Sequence, residues 1–523
     1  MDRRHALQQL IGWGVRPSHP TAGDMQMLQV EAGLEPYTQP LTLDDVLHLY
    51  RRLSFSASME QAAQQVGRQA SDVVEELLGT GIEQQPASPG AWVNVWTENP
   101  RGADLQTRAA IERSWQTNMA ALGSWWLSLM TTDPSAVEKL TLFWSQHWST
   151  EFSFDNTYSV PQMLYRQLGK LRQYRLGDIR QLALEITLDP AMLYYLGGTY
   201  NTKGAPNENY ARELMELYLT GLGWYTEGDV KEGARILTGW RSQRFSDEPA
   251  PNDRYETWFD AAAHDMGAKQ FLGQTIAART EDNNTAFQVR NEEVLRMIEI
   301  IVDVRSDAVA RFLAEKVYRY FVYSSPTDVD QTMVAGLGDV LKASNFEMRP
   351  MFFALFTSAH FFDPQLRGVQ IKTPMEYIAG LLRQLGKTAT GLSTWASRMD
   401  QAVMDPPTVA GWPGYRAWMS TNTYPVRREF ARTVIQGMSD QELGTWIRSI
   451  DGHDAAESFV RTVLQLLLPV AVTEERFSYY LQPLFQNAPA YDWPVILDDQ
   501  AAAAKRTRDL LITISKAPDF QLC

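Results

Sequence analysis

Apolar residues recur at intervals of three and four through almost the whole of this chain, and that period confines it to helix-on-helix packing. The spacing predicts helices at 42–55, 59–78, 105–130, 135–148, 160–174, 176–188, 207–219, 227–240, 292–302 and 307–320. A second series falls at 330–343, 347–358, 373–386, 425–437, 439–448, 453–468, 472–485 and 498–516. Strand-like patterning is confined to 254–277, where Trp258, Phe259, Phe271, Leu272 and Ile276 flank His264-Asp265-Met266-Gly267 and predict a hairpin around that turn. The fold class expected is mainly α: a single large multi-helix domain with a small β-hairpin excursion. Residues 1–38 read as an irregular arm because Pro17, Pro20 and Pro36 interrupt any helix. Residues 39–523 read as the helical domain, with 245–290 as the place where it would subdivide.

A formal charge of −14 disfavours nucleic acid or an anionic membrane as the main partner, since most of the surface would repel either. No run reaches the roughly 18 apolar residues of a membrane span. The one cysteine, Cys523, permits neither an intramolecular disulfide framework nor a thiolate cluster, so any metal must take O and N ligands. Arg3-Arg4 has the look of a twin-arginine export signal, but the apolar segment 10–15 is short and no Ala-x-Ala site follows. Cytoplasmic and periplasmic or exported locations both stay open.

The most polar of the helical segments is Pro206 to Leu217. On a helical wheel Tyr210, Ala211, Leu214, Leu217 and Tyr218 share one side, and Asn209, Glu213, Glu216 and Thr220 form a stripe opposite. Glu208 and Arg212 are spaced to pair at i,i+4. Such a stripe is either an acid/base or metal site, or a solvated face. His147 shares a helical face with Val137, Leu140, Thr141, Trp144 and Trp148, which turns its imidazole inward between indoles. Burial keeps such a ring neutral, fit for a metal ligand or a general base, and equally for a satisfied core residue. His264-Asp265 lies in the predicted turn with Lys269, as an exposed loop histidine for substrate or metal, or as an Asp-stabilised turn. His147, Glu213, Glu216 and His264 together would make a mixed N/O set for Fe, Mn or Zn. Glu208, Arg212 and Asp265 complete the candidate catalytic group. Thr226 and Asp229 read as a helix start. Lys372 and Glu376 are spaced as an ordinary i,i+4 pair. The segment 406–418, with Pro406, Pro407, Gly411, Trp412, Pro413, Gly414 and Tyr415, reads as a stiff aromatic loop that lines a saccharide or peptide groove or covers core. Asn207, Asn209, Lys269, Lys372, Trp412, Tyr415 and Arg416 are the candidate substrate contacts.

Several segments taken in order resemble one bacterial family, the domain of unknown function eighteen hundred. They are Leu142 to Trp148, Asp189 to Leu196, Pro206 to Leu217, Tyr225 to Val230, Leu237 to Trp240, His264-Asp265 with Lys269, Ile371 to Glu376, and Pro406 to Gly414. The resemblance covers most of the chain from about residue 45. It implies export by the twin-arginine route and a sulfatase-like protein partner, and it carries no reaction that transfers residue by residue. The chain departs from the family's pattern in its poor export signal and in Trp148, where phenylalanine commonly follows the motif histidine. The leading expectation is an enzyme-like protein whose His/Glu centre performs metal-assisted or general acid/base chemistry on a saccharide or peptide. The alternative is a non-catalytic scaffold or partner protein of a modification or export system, in which the same polar residues fix packing.

Overall fold

A computed structural model of the chain describes residues 33–79, 85–152, 159–245, 255–279, 287–389, 391–486 and 489–523. The arginine pair and most of the 1–38 arm lie outside the described residues. Within them the protein is mainly α, with 22 α-helices and two small antiparallel ladders. The close of the arm docks on the body: Ala359 donates to the Glu35 carbonyl at 2.8 Å, and Tyr37 stacks on Phe362 at 4.5 Å.

Local signals start and stop the helices as their chemistry requires. Thr42, Ser58, Thr226, Thr373 and Ser439 each begin one with a reciprocal capping box, satisfying backbone donors that the first turn leaves over. The single helix expected over 59–78 is instead two, Met59–Ala63 and Ala70–Leu78. Gly67 makes the break: it takes φ +84°, and its N–H donates to the Leu41 carbonyl at 2.8 Å.

The hairpin expectation is corrected in the same way. Trp240–Ser242 pairs with Thr257–Phe259, and Lys269–Phe271 pairs with Gln274–Ile276 across the Leu272-Gly273 turn. The His264–Gly267 segment therefore links two ladders and closes neither. Leu272 and Gly273 both have positive φ, the signature of the tight turn whose twist suits a two-residue hairpin.

The motif helix also departs from its wheel. Glu208–Glu213 is α-helical, but Leu214–Leu219 is a π-helix, and Thr220 donates to the Met215 carbonyl five residues back at 2.7 Å. The wider turn breaks the expected polar stripe. Glu213 and Thr220 become buried while Asn209 and Glu216 stay half-buried.

Below the apolar core lie charges that fix helix register. In the Val137–His147 helix, Glu138 accepts from Arg172 at 2.8 and 2.9 Å and from the Trp126 indole at 2.7 Å. The next residue, Lys139, pairs with Glu376. Both members of both pairs are buried. Removing one member leaves an uncompensated interior charge, so Lys139→Met should lower unfolding free energy by about 3–5 kcal/mol. Chemical denaturation tests this, and a loss below about 1 kcal/mol would contradict it.

Candidate functional site

The Val137–His147 helix carries Phe143 and His147 one turn apart on the same face, and the Ser306–Phe321 helix presents Phe312, Lys316 and Tyr320 at the same spacing. From these two rows Phe143, His147, Lys316 and Tyr320 line a cavity of about 220 Å³. The 406–418 loop supplies the third side through Trp412 and Tyr415.

Two features hold that loop. Ser149 Oγ donates to the Val409 carbonyl at 2.7 Å. Gly411 sits at φ +83°, and a Cβ there would lie 2.7 Å from the Gln146 carbonyl oxygen, so backbone meets backbone at a point where only glycine fits. The loop contains one short helical turn, Tyr415–Trp418, where none was expected. Arg416 is exposed and lies over the Tyr415 ring at 5.3 Å.

His147 is where its sequence placed it, edge-on to Trp144 and Trp148 at 5.5 and 5.4 Å. Its Nε2–H donates to the Tyr218 carbonyl at 2.9 Å, one of the carbonyls left over where the π-helix ends. That bond fixes the tautomer and leaves Nδ1 a bare acceptor, buried and with no partner in the protein. Two opposing effects act on its charge. The Tyr218 carbonyl favours the imidazolium, whereas burial and then Lys316 disfavour it; burial wins and holds the pKa down to about 3.

Lys316 is exposed as a residue and lines the cavity, whose wall takes part of the water from its ammonium. That desolvation, and then Arg319, lowers its pKa. Its Nζ stands 5.2 Å over the Phe312 ring, which in turn lies 6.1 Å from the His147 ring. Arg319 also lines the cavity and is paired with Glu315 at 2.7 Å. None of the residues lining the cavity carries a carboxylate.

The other predicted site residues go elsewhere, and His147, Glu213, Glu216 and His264 do not assemble. Among the described residues no three His, Cys, Asp or Glu side chains lie close enough to share a cation. Glu213 is buried in the motif helix, and Glu216 accepts from the Tyr225 hydroxyl. Arg212 reaches Glu208 at 3.7 Å but grips Glu227 through two bonds of 2.8 and 2.7 Å. Asn207 caps its helix and donates to the Leu196 carbonyl, while Asn209 is half-buried in the first turn.

His264 is buried, against the expectation of an exposed loop histidine. Its Nδ1 meets the Thr238 carbonyl at 2.7 Å, and its Nε2 lies 2.6 Å from Glu293. Lys269, also buried, binds Glu293 at 2.9 Å, so it is a structural cation and not a free substrate contact. Asp265 pairs with Arg235 at 2.7 Å, accepts from the Gly267 N–H, and is held down to about 2 chiefly by that arginine. Lys372 and Glu376 do not pair with each other: Lys372 donates to the Phe520 carbonyl at 2.9 Å, and Glu376 serves Lys139 and the Thr373 cap. Burial lowers Lys372 to about 7.

The cavity thus unites His147 with Trp412 and Tyr415, three of the predicted residues, and adds Lys316 and Arg319. The sequence does carry a trace of the addition, because Lys316 falls between Phe312 and Tyr320 on a row that is otherwise aromatic.

Since the unfolded chain takes up a proton on His147 below about 6.5 and the folded chain refuses it until about 3, native stability should fall as pH drops through that window. Ring resonances of His147 in the folded protein should not titrate between about pH 5 and 8; a midpoint near 6.5 would overturn the assignment.

A family model described as "Protein of unknown function (DUF1800)" matches residues 48–522, nearly the whole chain. No curated protein and no solved structure matches the chain. No helix among the described residues is long and apolar enough to cross a membrane.

Proposed function

We propose that this chain, which belongs to the DUF1800 family, binds an acidic saccharide in the cavity between His147, Lys316 and the 406–418 loop. One observation carries the reading: in a chain of net charge −14, this cavity is lined by Lys316 and Arg319 and by no carboxylate. Such a lining concentrates anions against the field of the remaining surface. The half-buried rings of Trp412 and Tyr415 supply flat apolar faces for the C–H side of a pyranose. The orphaned Nδ1 of His147 supplies an acceptor that a sugar hydroxyl would satisfy.

For a reaction at this place the cavity offers general acid/base groups. Lys316, whose pKa burial and then Arg319 lower, is the lysine placed at the cavity to exchange a proton. His147, at about 3, is too weak a base for that task and acts as a hydrogen-bond acceptor. Metal-assisted chemistry finds no ligand set among the described residues.

The scaffold reading draws on a different observation. The polar residues of the motif helix are largely engaged locally, Arg212 with Glu208 and with Glu227 of the next helix, and Glu216 with Tyr225 of the connection. Calorimetric titration with oligogalacturonate and with its uncharged methyl ester separates the two. The acidic form should bind and the ester bind at least about tenfold more weakly, with Lys316→Ala and Trp412→Ala each costing a similar factor. Equal binding of both forms, or of neither, would leave the scaffold reading standing.

A further inference from the structure

We infer that the protein has a second, separate carbohydrate site, a groove for a neutral oligosaccharide between the Leu105–Thr132 helix and the segment 91–98. The groove has a volume of about 490 Å³, within the range of small-molecule sites, and shares no residue with the His147 cavity. Its floor and walls combine two indoles, Trp92 and Trp96, with neutral hydrogen-bonding side chains, Gln106, Ser114, Asn118 and Gln162. No cation lines it, and Glu98 is its one carboxylate, so phosphates and acidic glycans are disfavoured.

Two of the residues that line the groove each carry an interior polar atom without a partner. Gln162 is more than nine-tenths buried, and its Oε1 has no partner, while its Nε2 donates to the Val95 carbonyl at 3.2 Å. The Trp92 Nε1–H, also buried, has no partner either. A lone acceptor and a lone donor beside one groove are left unpaired at a cost of about 1–3 kcal/mol each, and a ligand that supplies both kinds of group relieves it. Sugar hydroxyls do so, being donors and acceptors at once, while their ring faces stack on indoles.

An extended peptide fits less well. Strand addition needs free backbone groups, and along this segment the Val95 carbonyl accepts from Gln162 and from Tyr255 Oη at 2.9 Å, while the Thr97 N–H donates to Tyr255 Oη at 2.9 Å. The polar row of the facing helix remains available. Gln106 and Ser114 are exposed and Asn118 half-buried, spaced to meet successive hydroxyls along one chain.

Titration of the full chain with cellohexaose, chitohexaose and mannohexaose, followed by calorimetry and tryptophan fluorescence, tests the inference. At least one should bind with a Kd of about 1 mM or tighter, and binding should survive high salt. Trp92→Ala should weaken it about tenfold, and so should Ser114→Trp, which fills the groove from an exposed position and spares the core. Failure of all three sugars to bind, binding undiminished in Ser114→Trp, or displacement of the sugar by an unstructured peptide would overturn it.

Discussion

Two consecutive charges at the start of the Val137–His147 helix, each buried and each paired with a distant partner, set the position of everything at its other end. Glu138 is tied to Arg172 and Lys139 to Glu376, the latter across 237 residues of chain. An apolar helix can slide or rotate at modest cost, whereas moving this one would strip two interior charges of their partners. With its start pinned to the helices at 161–174 and 374–384, the last turn can go to one place only. There Phe143, Gln146 and His147 face the Lys316 row and the glycine that lets the 406–418 loop close over them.

The same economy of partners explains the electrostatics. Most carboxylates near the family motifs are consumed locally: Asp265 by Arg235, Glu293 by Lys269, Glu227 by Arg212, Glu376 by Lys139. What remains unneutralised at the cavity is cationic. Lys316 has no ion-pair partner among the described residues and sits over an aromatic ring. An acidic protein thereby carries a concave place of opposite character, without any block of basic sequence that would announce it.

The structure also shows why one histidine was readable and the other was not. His147 lies on an uninterrupted helix, so its neighbours at three- and four-residue spacing are its neighbours in space, and the indole cage follows from the period alone. His264 lies in a connection whose exposure depends on what packs over it. The Phe287–Val304 helix does so and brings Glu293 against its ring. The motif helix failed for a third reason. A wheel assumes one constant turn, and the π-helix at Leu214–Leu219 changes that turn midway, redistributing Glu213, Glu216 and Thr220.

Sequence by itself determined the helical class, most helix positions, the Thr226 cap, the inward burial of His147 and the loop character of much of 406–418. Each of these rests on interactions between residues a few positions apart, which period, proline, glycine and capping side chains report directly. Only the tertiary structure decided which carboxylates are spent on arginines and lysines, that His264 is interior, and that Lys316 meets Trp412 beside His147. These outcomes depend on partners dozens to hundreds of residues away, and a buried ion pair and an exposed one are spelled with the same letters.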